Sequence, residues 1–186
     1  LLKSIITSDV AVYSAHTNLD AAEAGMNQVL AEKLGLKNIQ PLYTGCEDRL
    51  VKLTVFVPFT HIEQVREAIH QAGAGHIGSY SDCSFRTPGM GTFLPLEGTH
   101  PFLGTKGRLE TVEEYRLETI AYEHDITRIV KAMIEAHPYE EAAYDIYPLL
   151  NRGKIYSIGR KGLWPEPVDL RTCVEQVKAV LDQDIV

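Results

Sequence analysis

The sequence predicts an α/β protein in which a ferredoxin-like βαββαβ domain, over residues 48–150, is inserted into a second α/β domain made of residues 1–47 and 151–186. Apolar and polar residues alternate over 51–57 and again over 111–122, and each stretch leads into a segment whose apolar residues follow the helical period. The order strand, helix, strand thus occurs twice. Right-handed crossovers then place both helices on one face of a four-stranded antiparallel sheet.

The first part of the chain shows one passage from a strand to a helix. Residues 9–15 are apolar and partly β-branched, which predicts a buried strand. A helix is predicted over residues 21–34, because its apolar side chains share one helical face, and Gly35 is the expected stop. Residues 38–47 contain Pro and Gly and are predicted to be a connector.

The first half of the insert begins with the strand predicted over 51–57, whose alternation indicates one buried and one exposed face. Thr60 and Glu63 have the spacing of a capping box, which predicts the start of a helix. A second strand is predicted over residues 76–80, to be resumed near Phe85.

The second half of the insert opens with residues 86–107, which are rich in Gly and Pro and are predicted to form a long loop. A loop of that length inside a domain is usually functional or disordered. After the strand at 111–122, Asp125 is the expected cap of a helix whose apolar stripe includes Ile129 and Met133. Both side chains are therefore predicted to lie in the core.

The last part of the chain returns to the first domain after a fourth strand over 142–147. Residues 155–159 are predicted to form another strand, and Asp169 is expected to cap a final helix. The apolar stripe of that helix is predicted to be buried and consists of Leu170, Cys173, Val174, Val177 and Leu181.

Composition excludes several classes of protein. The formal net charge is −7, which disfavours nucleic-acid and membrane-surface binding, because both usually require a basic face. No apolar stretch approaches the roughly 20 residues of a transmembrane helix. The three cysteines are far apart and odd in number, so neither a disulfide scaffold nor a zinc knuckle is predicted. A reducing cytoplasm is the expected location.

The clearest candidate site is the segment 16–20, His-Thr-Asn-Leu-Asp, at the junction of the first predicted strand and helix. Ligands bind at that edge in α/β folds. The Asp20 carboxylate has the chemistry to ligate a hard or borderline cation. The alternative is that Asp20 caps the helix with a hydrogen-bonded His16 nearby, since one Asp and one His are too few for a metal site.

The insert contains weaker candidates. Gly89 and Gly91 fit either a phosphate-binding loop or close packing, of which packing is favoured. The glutamates of the strand over 111–122 are interpreted as a solvated face rather than as a catalytic pair: Glu110, Glu113, Glu114 and Glu118. The residues of metal-binding types have the spacing of no closed zinc site: His76, Cys83, His100 and His137.

Several ordered motifs resemble the NIF-three-like family over nearly the whole chain. The motifs include Ala15-His16-Thr17-Asn18-Leu19-Asp20-Ala21-Ala22, Gly75-His76-Ile77-Gly78, Gly89-Met90-Gly91-Thr92-Phe93, His137-Pro138-Tyr139-Glu140-Glu141 and Ile158-Gly159-Arg160-Lys161-Gly162. Ala24-Gly25 stands where the family often has Gly-Gly. The resemblance implies that residues 48–150 are a CutA- or PII-like insert in a partial NIF-three-like metal-binding domain. Because the chain lacks an initiator Met, we expect a central fragment.

Bacterial members of that family are often labelled GTP cyclohydrolase I type 2 homologues, and the resemblance implies a site for two divalent ions, which are zinc, manganese or iron. Its implied ligands are a His-His pair, an Asp, and a His and a Glu four residues apart. Only Asp20 maps onto this chain, and His16 is assigned to substrate contact. No catalytic residue is assigned, and the fragment alone is expected to hold no metal and to be inactive.

Two functions follow from the resemblance. The first is a metal-dependent hydrolase of a nucleotide-like small substrate. The second is a non-catalytic regulatory or assembly protein, whose insert senses a small ligand or gates a metal chamber. The resemblance also implies a homo-oligomer, a hexamer built from trimers or dimers. A small-molecule ligand is an expected partner, whereas nucleic acid and membranes are not.

Overall fold

A computed structural model describes residues 2–43 and 45–183 as a mixed α/β structure. Its helices are α1 (Leu2–Thr7), α2 (Asn18–Ala21), α3 (Met26–Lys33), α4 (Ile62–Gln71), α5 (Ile126–Ala136) and α6 (Leu170–Leu181). Its strands are β1 (Lys37–Pro41), β2 (Cys46–Glu47), β3 (Leu50–Pro58), β4 (Ser84–Phe93), β5 (Glu110–Tyr122), β6 (Tyr144–Pro148), β7 (Ile155–Tyr156) and β8 (Arg160–Leu163).

The chain divides into two compact units. The first unit consists of the described parts of residues 1–47 and 154–186, and the second consists of Asp48–Gly153. Of the helices that the structure describes, none is long and apolar enough to cross a membrane.

The second unit contains a four-stranded antiparallel sheet in the order β4-β5-β3-β6. Along the chain its elements follow the order β3, α4, β4, β5, α5, β6. β3 is paired along both edges: Leu50 to Pro58 with β5, and Val51 to Val55 with β6. The strands predicted over 51–57, 111–122 and 142–147 are thereby confirmed, with bounds shifted by one or two residues.

The core of the second unit lies between this sheet and the two helices, which pack against each other. Alternate residues of β3 face the helices and are buried, in agreement with the predicted alternation: Val51, Leu53, Val55 and Val57. Ile129 and Met133 of α5 are fully buried in the same cluster, as predicted. Phe56, which alternates with the core residues of β3, therefore lies on the opposite face of the sheet.

His137 connects the end of α5 to β3. Its Nε2 lies 2.9 Å from the Phe56 carbonyl oxygen, and its Nδ1 accepts a hydrogen bond of 3.1 Å from the Tyr139 amide. The proton of the neutral ring is therefore on Nε2, which donates to Phe56. Burial lowers the pKa of His137 below its usual value, although the bond to Phe56 opposes this shift.

The prediction of a loop over residues 86–107 is wrong in its first part. Residues 84–93 form β4, an edge strand of the sheet that pairs with β5 alone. Pro88 has no amide hydrogen and is tolerated at an edge. The strand predicted over 76–80 is reduced to one bridge between Ile77 and Tyr80.

Asp125 stands at the N-cap position of α5, as predicted, and α4 begins close to Thr60, but the expected side-chain capping bonds do not form. No side chain caps α4 or α5. The Thr60 hydroxyl contacts His61 Nδ1 at 2.8 Å, and the Glu63 carboxylate binds two arginines instead of a backbone amide. Asp125 accepts a hydrogen bond of 2.6 Å from Arg128. A guanidinium forms stronger, charge-assisted bonds with a carboxylate than a neutral amide does.

The first unit contains two antiparallel pairs, β1 with β8 and β2 with β7. The prediction of a connector over residues 38–47 is wrong, because β1 and β2 lie there. Their partners follow the second unit in sequence, so no local pattern indicates the pairing. The strand predicted over 155–159 is only β7, which is two residues long.

The strand predicted over residues 9–15 is also wrong, since the structure assigns no strand there. Val10, Val12 and Tyr13 are 54%, 68% and 87% exposed. No described strand runs beside this segment to pair its backbone groups, and an isolated strand is unstable in water.

The helical predictions of the first unit are correct in part. The helix predicted over 21–34 is divided into α2 and α3, and Gly35, with φ +76°, ends α3 as predicted. Asp169 caps α6 by accepting a bond of 2.9 Å from the Thr172 amide. The buried stripe predicted for α6 is wrong, because no described residue of that helix is buried. Cys173, Val174 and Val177 are half-buried, whereas Leu170 and Leu181 at the two ends of the helix are exposed.

We expect Ile129→Ala to lower the free energy of unfolding by about 2–4 kcal/mol, because it removes buried methylene groups and leaves a cavity. Ile134→Ala on the same helix is the control, since Ile134 is 47% exposed. Chemical denaturation followed by circular dichroism measures both. Equal losses for the two variants would mean that the assigned helix face is wrong.

The lowered pKa of His137 predicts acid sensitivity. Between its value in the unfolded chain, about 6.5, and its lower value in the folded chain, the unfolded state binds more protons. Stability is therefore complete above about pH 6.5 and is lost as the pH falls through this window. His137→Gln, which keeps a donor but does not titrate, is expected to weaken this dependence. His70, whose pKa is also lowered by burial, should leave a residual slope. An unchanged slope in the variant would contradict the prediction.

Candidate functional site

The segment that contains Asp20 forms a short helix, α2, followed by a tight turn into α3. Asp20 is half-buried and His16 is exposed. The Asp20 carbonyl oxygen accepts a bond of 3.3 Å from Asn27 Nδ2. No hydrogen bond or ion pair joins its carboxylate to another side chain in the described residues. Asp20 lies within α2 rather than before it, so the alternative that it caps the helix does not hold.

Gly25 makes the turn between α2 and α3 possible. A Cβ atom at this position would lie 1.8 Å from the carbonyl oxygen of Leu19 and 3.0 Å from that of Ala22. Only glycine permits this approach. The Gly25 amide donates to the Ala22 carbonyl at 3.1 Å. The turn therefore fixes where α2 stands relative to α3.

Arg160 holds the same turn from the side of β8. Its guanidinium donates to the carbonyl oxygens of Ala22 (2.8 Å), Gly159 (3.2 Å) and Ser157, and its Nε donates to Gln28 Oε1 at 3.3 Å. Several donors in one planar group suit a cluster of carbonyl oxygens. Sequence analysis assigned no role to Arg160. Its place in the motif Ile158-Gly159-Arg160-Lys161-Gly162 was the available signal.

The described residues do not complete a metal site by themselves. No group of three or more His, Cys, Asp or Glu side chains is brought together in the part of the chain that the structure describes. Asp20 thus belongs to no such group in residues 2–43 and 45–183. A dinuclear centre needs several donors and bridging carboxylates, so no chemistry through a metal ion is derived from these residues.

The other residues of metal-binding types have separate roles. Both ring nitrogens of His137 are hydrogen-bonded. The His100 amide donates to Glu140, and the Cys83 thiol contacts the Ser81 carbonyl oxygen at 3.7 Å. The two bonds of the His137 ring leave it no free nitrogen for a metal ion.

A cavity of about 380 Å³ lies in the second unit, on the sheet face that carries Phe56. Its walls come from β3, β4, β5, the loop over residues 94–109 and the turn over 137–143. Four aromatic rings and three carboxylates contribute to its lining: Phe56, Phe93, Phe102, Tyr139, Glu114, Glu140 and Glu141. Its volume falls within the usual range for small-molecule sites, about 300–1,000 Å³.

Glu114 is the main correction to the sequence analysis of this unit. It was interpreted as part of a solvated strand face, yet it is only 8% exposed. Its carboxylate lies against the backbone of β4, where a Cβ atom on Gly91 would be 2.2 Å from Glu114 Oε2. Gly91 therefore serves close packing, as favoured from the sequence. A carboxylate in this place also argues against the phosphate-binding alternative, because the two anions would repel each other.

Tyr139 places a phenol beside this carboxylate. Its hydroxyl oxygen is buried and lies close to the Glu114 carboxylate, although no hydrogen bond of normal geometry joins the two. Burial, together with the negative charge of Glu114, raises the pKa of Tyr139, so the phenol stays protonated. The ring also packs against His137 at 5.0 Å and Phe93 at 6.0 Å between centroids.

The loop that covers the cavity is fixed by carboxylates. The His100 amide donates to both oxygens of Glu140 at 3.1 Å, and the Thr105 amide donates to Glu110 at 2.9 Å. Phe102 makes an edge contact with His61, at 5.4 Å between centroids. The loop that lines the cavity is therefore hydrogen-bonded both to β5 of the sheet and to the turn that carries Glu140.

Comparisons with known proteins agree with the resemblance. The Duf34/NIF3 (NGG1p interacting factor 3) family model matches residues 1–186. A relative from Halalkalibacterium halodurans, named GTP cyclohydrolase 1 type 2 homolog, is 50% identical over 182 residues, which cover 98% of this chain and 49% of the relative. The chain spans about half the length of the curated relatives it matches.

A solved structure gives the same result. A Bacillus cereus protein related to NIF3 has 47% identity and a TM-score of 0.83, covering 97% of this chain and 48% of that one. The resemblance inferred from the motifs is confirmed by the family match over the whole sequence: this chain belongs to the Duf34/NIF3 family.

Proposed function

We propose that this chain supplies one carboxylate ligand, Asp20, to a dinuclear metal site in a longer protein, and that this protein is a metal-dependent hydrolase of a nucleotide-like small substrate. The observation that carries the proposal is the Asp20 carboxylate, which has no protein partner among the described residues. Its backbone is held by Asn27, while Gly25 and Arg160 fix the turn that follows. A half-buried carboxylate of this kind is suited to a cation supplied from elsewhere.

The remaining parts of this proposal follow from family membership. The metals are zinc, manganese or iron, and His16, which is exposed, contacts the substrate. Asp48–Gly153 acts as a ferredoxin-like insert in the metal-binding domain, and the protein assembles as a homo-oligomer. The relative from Halalkalibacterium halodurans carries the name GTP cyclohydrolase 1 type 2 homolog, which supports a nucleotide-like substrate.

The second candidate function is regulation or assembly, in which the insert senses a small ligand without catalysing a reaction. The cavity of the second unit favours this candidate. It combines aromatic walls with a buried carboxylate and belongs wholly to Asp48–Gly153. It does not depend on the metal ligands.

We expect this 186-residue chain alone to bind no stoichiometric pair of divalent ions and to have no hydrolase activity, because one carboxylate cannot replace the water shells of two ions. Calorimetric titration with zinc and with manganese, beside an Asp20→Ala control, measures this. Two sites of about micromolar affinity or better that disappear in the control would show that the other ligands lie within this chain.

A chimera tests the ligand role directly. This chain replaces the matching part of the Halalkalibacterium halodurans relative, to which it is 50% identical. We expect the chimera to bind two metal ions, and Asp20→Asn to lower metal affinity by about 10-fold or more, as loss of even an indirect contact does. Asp9→Asn is the control, since Asp9 is an exposed carboxylate of the same unit. Equal metal content in the two variants, measured by atomic emission, would exclude Asp20 as a ligand.

A further inference from the structure

We propose that the cavity of the second unit binds a small organic cation, an amine or guanidinium compound, with Glu114 as its counter-ion. This inference rests on the second proposed function and is independent of the metal site. The argument depends on the charge, the walls and the buried polar groups of the cavity.

The charge of the cavity is wholly negative. Glu114, Glu140 and Glu141 line it, and no Lys, Arg or His is among its lining residues. Arg116 lines an adjoining cavity of about 260 Å³, but its guanidinium is paired with Glu118 at 2.6 Å. A phosphate or carboxylate ligand would therefore meet only like charges, whereas a cation would meet complementary ones.

The buried carboxylate requires a partner. Glu114 is 8% exposed, and no ion pair joins it to a basic residue in the described ranges 2–43 and 45–183. Buried charges in proteins are normally paired, because desolvation without a partner is costly. A bound ammonium or guanidinium group would supply that partner through charge-assisted hydrogen bonds.

The walls suit the apolar part of such a ligand. The rings of Phe93 and Phe102 lie 6.0 and 6.2 Å from that of Tyr139, so three aromatic groups converge on one space. Aromatic faces attract cations and stack against flat groups. The buried Tyr139 hydroxyl lies close to the Glu114 carboxylate but makes no hydrogen bond of normal geometry, so its oxygen can accept a hydrogen from the ligand.

The position of the Glu114 carboxylate depends on the glycine at position 91. Any side chain at position 91 would collide with Glu114, so glycine is needed there for the carboxylate to reach its place. The Glu140 carboxylate already accepts hydrogen bonds from the His100 amide, and Glu141 is exposed. Glu114 is thus the one buried carboxylate among the three that line the cavity, and Glu140 and Glu141 add to the negative potential.

The test compares matched compounds on the complete chain by calorimetry. Phenethylamine is the cation, 2-phenylethanol its neutral counterpart and 3-phenylpropionate its anionic one, with agmatine as a guanidinium probe. We expect at least one of the two cations to bind, with an affinity about 10-fold or more higher than that of the alcohol or the anion. This difference corresponds to the strength of a hydrogen bond to a charged group. Failure of both cations to bind at millimolar concentration overturns the proposal, and so does equal affinity for the alcohol.

Variants then assign the effect to Glu114. We expect Glu114→Gln to abolish the preference for the cation, while Glu113→Gln, an exposed glutamate next to it on β5, leaves the preference unchanged. Tyr139→Phe should weaken cation binding by about two- to tenfold. Thermal unfolding confirms that each variant is folded. If Glu114→Gln does not fold, the comparison of compounds on the unsubstituted chain and Tyr139→Phe decide the matter. Unaltered cation binding in a folded Glu114→Gln variant overturns the proposal. Equal binding of the alcohol and the amine overturns it as well, because the cavity would then recognise the aromatic ring and not the charge.

Discussion

The pairing of β3 along both of its edges is the interaction on which the second unit depends. Its inner side chains fill the core beneath the helices, and its outer face carries Phe56. The backbone of Phe56 is bound at both groups: its amide donates to Ala143 at 3.1 Å, and its carbonyl oxygen accepts from His137. The turn that carries Tyr139 is thus attached to the central strand. The stability of the core and the shape of the cavity are therefore coupled through one residue.

The sequence predicts the elements whose pattern is local and whose partners lie nearby. β3, β5 and α5 show a clear period, and their buried residues, including Ile129, could be assigned before the structure was known. Residues 9–15 have the composition of a strand but lack a described neighbour, so the same reasoning fails there. β1 and β2 were missed for the opposite reason. Their partners come after the second unit in sequence, and nothing in a short window indicates a pairing across that distance.

The two candidate sites differ in how far the sequence reveals them. Asp20 was found because it belongs to an ordered motif, although periodicity alone would have left it as a possible helix cap. The cavity was not predicted. Glu114 occupies a polar position in an alternating strand, where a glutamate is normally solvated, and its burial results from the absence of a side chain at Gly91 and from the covering loop. Both causes are contacts between residues distant in sequence, which composition cannot show.

Pro88 in the edge strand β4 has a consequence for association between chains. An unprotected edge strand offers a row of backbone donors and acceptors on which another chain can add as an extra strand and so begin an aggregate. At Pro88 that row lacks a donor, and the glycine beside it favours an extended ladder poorly. The outer edge of β4 is thus a poor template for polymerisation. The same strand still forms one wall of the cavity, through Gly91, Thr92 and Phe93.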